Sequence, residues 1–182
     1  MAHQFTTSYI EDSLAILRQY RHHGERALAQ VADGDLLRTI DGEANSIAII
    51  VKHMAGNMRS RWTDFLTSDG EKANRNRDSE FEDPPATREA LMAMWNEGWD
   101  LVFSAIQPLT DADITRTVTI RGEPHSVMQA ITRQIAHYAG HVFQIVLLAK
   151  HFRGEAWTSL SIPRNRSQEF NQKVAAGEAS QR

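Results

Sequence analysis

The chain has 182 residues, 41% hydrophobic and 24% charged, with a net charge near −3. This is ordinary globular composition and enough chain for one domain with a substantial core, so disordered and fibrous classes are excluded. The 20 basic residues are spread along the chain, leaving no footprint for a nucleic acid, and the lack of cysteine excludes disulfides, thiolate metal ligands, iron–sulfur clusters and a cysteine nucleophile.

The opening MAHQFTTSYIEDSL lacks the basic-then-apolar run of a secretory signal. No later stretch approaches the roughly 18 apolar residues of a membrane helix, so a soluble cytoplasmic protein is expected. Four helices follow from apolar spacing. The first covers about residues 7 to 32, with Ile10, Leu14, Leu17, Leu28 and Val31 on one side and a stop signal at Asp33-Gly34. The second starts after Asn45-Ser46, either of which can cap, and continues through Ile50, Met54, Met58, Trp62 and Phe65 to Ser68. A polar connection of residues 68 to 86 is too long for a tight antiparallel turn and can span a helix, so helices two and three can lie parallel.

Thr87 caps the third helix, which carries Leu91, Trp95, Val102 and Ile106 and stops at Pro108. TRTVTIRGEPHS then alternates polar and apolar residues around Arg121-Gly122, the pattern of a short β-hairpin or extended segment. The last long helix starts at Ser126 and closes at Arg153-Gly154. Beyond it, Trp157, Leu160, Ile162 and Phe170 are placed to pack back, with a frayed end from about residue 173. The expectation is a single all-α domain over residues 1–182 with one small β feature.

Within the last helix, QIAHYAGHVFQI holds two histidines four residues apart. That spacing separates them by about 40° and 6 Å, so His137 and His141 project side by side and can share one ion. A zincin protease has a glutamate directly after the first histidine; Tyr138 stands there, so that reading fails. Their stripe, Val127, Ala130, Gln134, His137, His141, Gln144 and Leu148, is polar at its centre, and burying such groups without partners costs on the order of 1–3 kcal/mol each. His53, on an otherwise inward stripe of the second helix, completes a candidate three-histidine site for zinc, nickel, cobalt or iron(II), with a coordination position left open. Asn57, Gln134 and Tyr138 are candidates to hold the other imidazole nitrogens. His22, His23, His125, His151 and His3 are not natural ligands, and no carboxylate is evident beside the trio as a general base. Gly140, Phe143 and Leu147 make the last helix apolar nearly all round, which calls for cover by a second subunit or by the segment around Trp157.

The segments NSIAIIVKHMAGNMRSRW, EPHSVMQAITRQIAHYAGHVFQIVLLAKHFRG and EAWTSLSIPRNRSQEFN resemble the DinB/YfiT-like superfamily, in particular its branch of bacterial proteins of this length. The resemblance implies a four-helix bundle in up-down-down-up order, and a divalent metal, nickel or zinc, on one histidine of the second helix and an HxxxH pair of the last, here His53, His137 and His141. It further implies a homodimer and a small-molecule substrate. The activities it suggests are transfer of a low-molecular-weight thiol to an electrophile or metal-assisted hydrolysis. A third expectation, from another class, is a metal- or ligand-binding protein without turnover. In SLSIPRNRS, Arg164 or Arg166 is a candidate contact for an anionic substrate.

Overall fold

The computed structural model describes residues 5–180. Five α-helices and one two-stranded antiparallel sheet are present among them: α1 Tyr9–Leu28, α2 Ile47–Trp62, α3 Arg88–Ile106, β1 Thr117–Ile120, β2 Glu123–Ser126, α4 Val127–Arg153 and α5 Ser167–Ala175. Each of the four long helices starts where a hydroxyl accepts an otherwise orphaned backbone N–H. Ser8 accepts from Glu11, Ser46 from Ile49, Thr87 from Ala90 and Ser126 from Gln129, the last completed as a capping box by the Gln129 side chain.

The core fills the space between α1, α2, α3 and α4. Trp95, Trp99, Tyr138, Leu17, Met54, Met58 and Ile145 are among its fully buried side chains. Three glycines permit the close approaches that place the site. A Cβ on Gly98 would lie 2.8 Å from the Met58 sulfur and 3.3 Å from Ala55 Cα, so α3 sits tight on α2. One on Gly24 would enter the Trp95 indole, and one on Gly56 would lie 2.6 Å from the Glu80 carboxyl carbon.

The expected hairpin forms with Val118 opposite His125 and Ile120 opposite Glu123. Its turn needs two left-handed residues, Arg121 at φ 56° and Gly122 at φ 77°. The Asp69 carboxylate holds this turn, accepting from the Arg121 and Gly122 N–H groups at 2.8 Å each, and Gly70 N–H donates to Thr119 O at 2.7 Å. The connection between α2 and α3 is therefore anchored to the hairpin at one end. At the other, Lys52 of α2 donates to Glu82 O at 2.6 Å. In between, Asp78–Phe81 form a 3-10 turn against α2.

Three boundaries differ from the sequence reading. α1 ends at Leu28, with a separate 3-10 turn at Asp33–Asp35, and α2 ends at Trp62. α5 was not anticipated, because SQEFNQKVA offers only Phe170 and Val174 as an apolar pair; it carries helix to Ala175, past the expected start of fraying. The segment before it packs on α1, where Arg26 donates to Leu160 O and Gln30 exchanges two hydrogen bonds with Thr158. It does not cover the outer face of α4, on which Phe143 stays 52% and Leu147 64% exposed.

Candidate metal centre

His53 on α2 and His137 and His141 on α4 converge. His53 Nε2 lies 3.4 Å from His137 Nε2, which lies 3.1 Å from His141 Nε2. A tetrahedral ion about 2.0–2.1 Å from each ligand nitrogen spaces those nitrogens by about 3.3 Å, so the separations suit one ion. Among the described residues, these three are the group of histidines and carboxylates that could hold a metal ion.

The outer nitrogens decide what faces the centre. His53 Nδ1 is 2.8 Å from Glu80 Oε2, and a carboxylate only accepts, so Nδ1 carries a proton and the neutral ring has its lone pair on Nε2, turned inward. His141 Nδ1 donates in the same way to Gln144 Oε1 at 2.8 Å. His137 Nδ1 is buried without a partner. With two inward lone pairs fixed, the gap beside His137 Nε2 is satisfied by one shared proton or by a cation, and three neutral imidazoles are a recognised donor set for a borderline metal. Burial, then the nearby His141 and His53, then Arg61 and Arg75, push the His137 pKa down to about 3. Burial also lowers that of His141. Both are therefore uncharged at neutral pH, each keeping one ring proton and one lone pair, as ligands must.

Glu80 and Gln144 are the imidazole partners that sequence reasoning missed, and Glu80 is the one brought in from outside the α-helices. Its side chain is 8% exposed, Arg75 donates to both its oxygens at 2.8 and 3.0 Å, and Phe81 beside it stacks on the His53 ring at 4.7 Å. Burial raises the Glu80 pKa, but the hydrogen bonds from His53 and Arg75 outweigh this and hold it below the usual glutamate range. A carboxylate does stand beside the trio after all. It is an orienting group, engaged on both oxygens, and not a free base.

The three residues expected to support the imidazoles do other work. Tyr138, fully buried, donates to Asn57 Oδ1 at 3.2 Å and accepts from Trp62 Nε1 at 2.8 Å. Gln134 is buried with its Oε1 unpartnered. None of the three reaches a histidine nitrogen. Arg166 pairs with Glu169 at 2.6 Å and lines a separate groove against α1, away from the histidines, and Arg164 is likewise absent from the residues around them.

The family model described as protein of unknown function (DUF1572) matches residues 4–166. The chain belongs to the DUF1572 family. The match takes in all three histidines, Glu80 and the hairpin, and stops just before α5. No curated protein and no solved structure matches this DUF1572 chain. No helix among its described residues is long and apolar enough to cross a membrane.

Proposed function

We propose that this DUF1572 protein holds one divalent ion, zinc or nickel, on His53, His137 and His141, and that it is a metal-dependent enzyme of the cytoplasm acting on a small molecule. The observation that carries the reading is the pair of inward lone pairs fixed by Glu80 and Gln144 around His137. The DinB/YfiT-like architecture is part of the same proposal. Tyr9 bonds Thr132 while Tyr20 packs on Phe143, which makes α1 and α4 parallel; His53 meets His141 while Trp62 meets Tyr138, which makes α2 and α4 antiparallel. Gly24 against Trp95 and Arg18 over Phe103 set α3 antiparallel to α1. These directions support an up-down-down-up bundle.

Transfer of a low-molecular-weight thiol to an electrophile is the favoured reaction. The ion's charge would favour the thiolate form of a thiol bound at the open position. The chain has no cysteine, and among the described residues the carboxylate beside the histidines, Glu80, is engaged on both oxygens, which favours a nucleophile brought from outside over hydrolysis with a carboxylate base. The role of the protein's own residues is to fix geometry. Glu80 and Gln144 hold two imidazoles in one tautomer, and Phe81 shields one face of His53 from water.

Metal analysis of the untagged protein, purified without chelator, is expected to give about one ion per chain. His53→Ala and His137→Ala are expected to lose it while remaining folded. No ion in the wild type, even after incubation with zinc or nickel, removes the proposal. Metal-free variants that stay folded but lose a thiol-transfer activity shown by the wild type support catalysis, whereas a strongly lowered melting temperature on metal loss with no activity found favours the non-catalytic alternative.

A homodimer is also proposed, formed across the Gly140, Phe143 and Leu147 face of α4. Light scattering is expected to give twice the chain mass for the wild type and the chain mass for Leu147→Glu. A monomeric wild type ends this part of the proposal.

A further inference from the structure

Five arginines from four separate segments surround one cleft of about 220 Å³ that opens beside His53 and His137. They are Arg61 on α2, Arg75 and Arg77 on the long connection, Arg121 in the hairpin turn and Arg133 on α4. This gathers a quarter of the chain's 20 basic residues around one space in a protein of net negative charge. No carboxylate is among the described residues lining it.

Like charges converge only where something offsets them. Glu71, just outside the cleft, meets Arg61, Arg75 and Arg121 at 3.0, 2.9 and 3.4 Å, and Glu80 meets Arg75. Two carboxylates thus serve three guanidinium groups. Arg77 lies over the Phe81 ring at 5.0 Å and has no carboxylate, and Arg133 has neither an ion pair nor a hydrogen bond. The space is on the order of seven water volumes, the size of a small headgroup.

We infer that this cleft binds the anionic end of a small organic substrate, a carboxylate or a phosphate ester, with its reacting end directed to the three histidines. Guanidinium forks recognise both anions by paired N–H donors, and Arg77 and Arg133 are the two left free to close on the ligand. The part of this inference that places the reacting end rests on the proposed metal site; the anion cleft itself does not.

Calorimetric titration of inorganic phosphate and of succinate into the full chain tests it, with metal content measured on the same samples. The comparison is between wild type, the double variant Arg77→Gln/Arg133→Gln, Arg166→Gln as a charge control elsewhere, and His137→Ala. Both cleft side chains are exposed and outside the core, so the fold is expected to persist. At least one anion is expected to bind the wild type, to bind at least tenfold more weakly to the double variant, and to be unaffected by Arg166→Gln. The tighter of the two identifies the anion class. Binding of neither anion, or equal binding to wild type and double variant, overturns the inference even where the metal is present. Binding lost in His137→Ala but retained in the double variant places the anion on the ion and overturns it as well. Anion binding that follows the two arginines in a protein taking up no metal upholds the cleft while the metal reading falls.

Discussion

Replacing Glu80 by alanine is expected to lower stability by about 3 kcal/mol and metal affinity by about 10- to 100-fold. The carboxylate is 8% exposed and makes hydrogen bonds to His53 and, through both oxygens, to Arg75, whose own side chain is 6% exposed. Removing one partner of a buried ion pair strands the other, at a cost of about 3–5 kcal/mol. The lower end applies because Arg75 keeps Glu71 at 2.9 Å. Affinity falls for a different reason: without an acceptor, His53 is free to change tautomer and swing away. Glu80→Gln separates the two effects, since its amide oxygen still accepts from His53 Nδ1 while the charge opposite Arg75 is gone. It is expected to keep more of the affinity than of the stability. Denaturant unfolding of the metal-free protein and zinc competition titrations measure the two quantities. Wild-type values for Glu80→Ala in both would remove Glu80 from the site.

Acidification from pH 7 to pH 4 is expected to destabilise the metal-free protein steeply, through His137 first. Its folded pKa, held at about 3 chiefly by burial and then by its neighbouring histidines, lies below the ordinary value of about 6.5 that it takes in the unfolded chain. Between those values the unfolded chain binds a proton that the folded chain refuses. The contribution is therefore intact above about pH 6.5 and is lost as the pH falls toward 3, by at most about 1.4 kcal/mol per pH unit for one proton. His141 shifts in the same direction. Glu80, with its lowered pKa, adds its own loss in a more acidic window, below the usual glutamate range. Thermal melts at pH 7, 6, 5 and 4 should show a shallower dependence for His137→Gln than for wild type. Zinc loading should raise the wild-type melt most near neutral pH and progressively less with acid, as protons and metal compete for the same nitrogens. Parallel wild-type and His137→Gln curves would count against a buried neutral His137.

Much of this architecture is legible in the sequence, and the legible parts share a cause. Helix starts at Ser46, Thr87 and Ser126 are written locally, because a hydroxyl capping a free N–H needs only its own next three residues. The hairpin turn at Arg121-Gly122 is local in the same sense. The three histidines were legible because helical periodicity fixes which positions share a face. Glu80 was not, because the connection from Ser68 to Ala86 holds Asp69, Glu71, Asp78, Glu80, Glu82 and Asp83 with no period to say which one turns inward. The partners of the imidazoles failed for a related reason. Closeness along the helix left several neighbours equal, Asn57, Gln134 and Tyr138 among them, whereas the direction of each Nδ1 follows from the ring's rotamer, which picked Gln144 three residues along α4 and Glu80 from the connection. The arginine cleft was hidden by the same even spread of basic residues that argued against nucleic acid: two stretches, residues 61–77 and 121–133, meet only in the fold.

Gly56 gives a rule for reading other members of the family. A Cβ there would lie 2.6 Å from the Glu80 carboxyl carbon, and Gly56 sits three residues after His53 on α2. The two positions are thus coupled by exclusion: a chain that carries a side chain at the first cannot seat a carboxylate at the second without moving the connection. Aligned relatives with a side chain in place of Gly56 should therefore lack the carboxylate at position 80, whereas loss of that carboxylate alone leaves glycine permitted. A relative that keeps the three histidines but bears a larger residue in place of Gly56 would orient the first histidine by some other acceptor, and its acid sensitivity would differ accordingly.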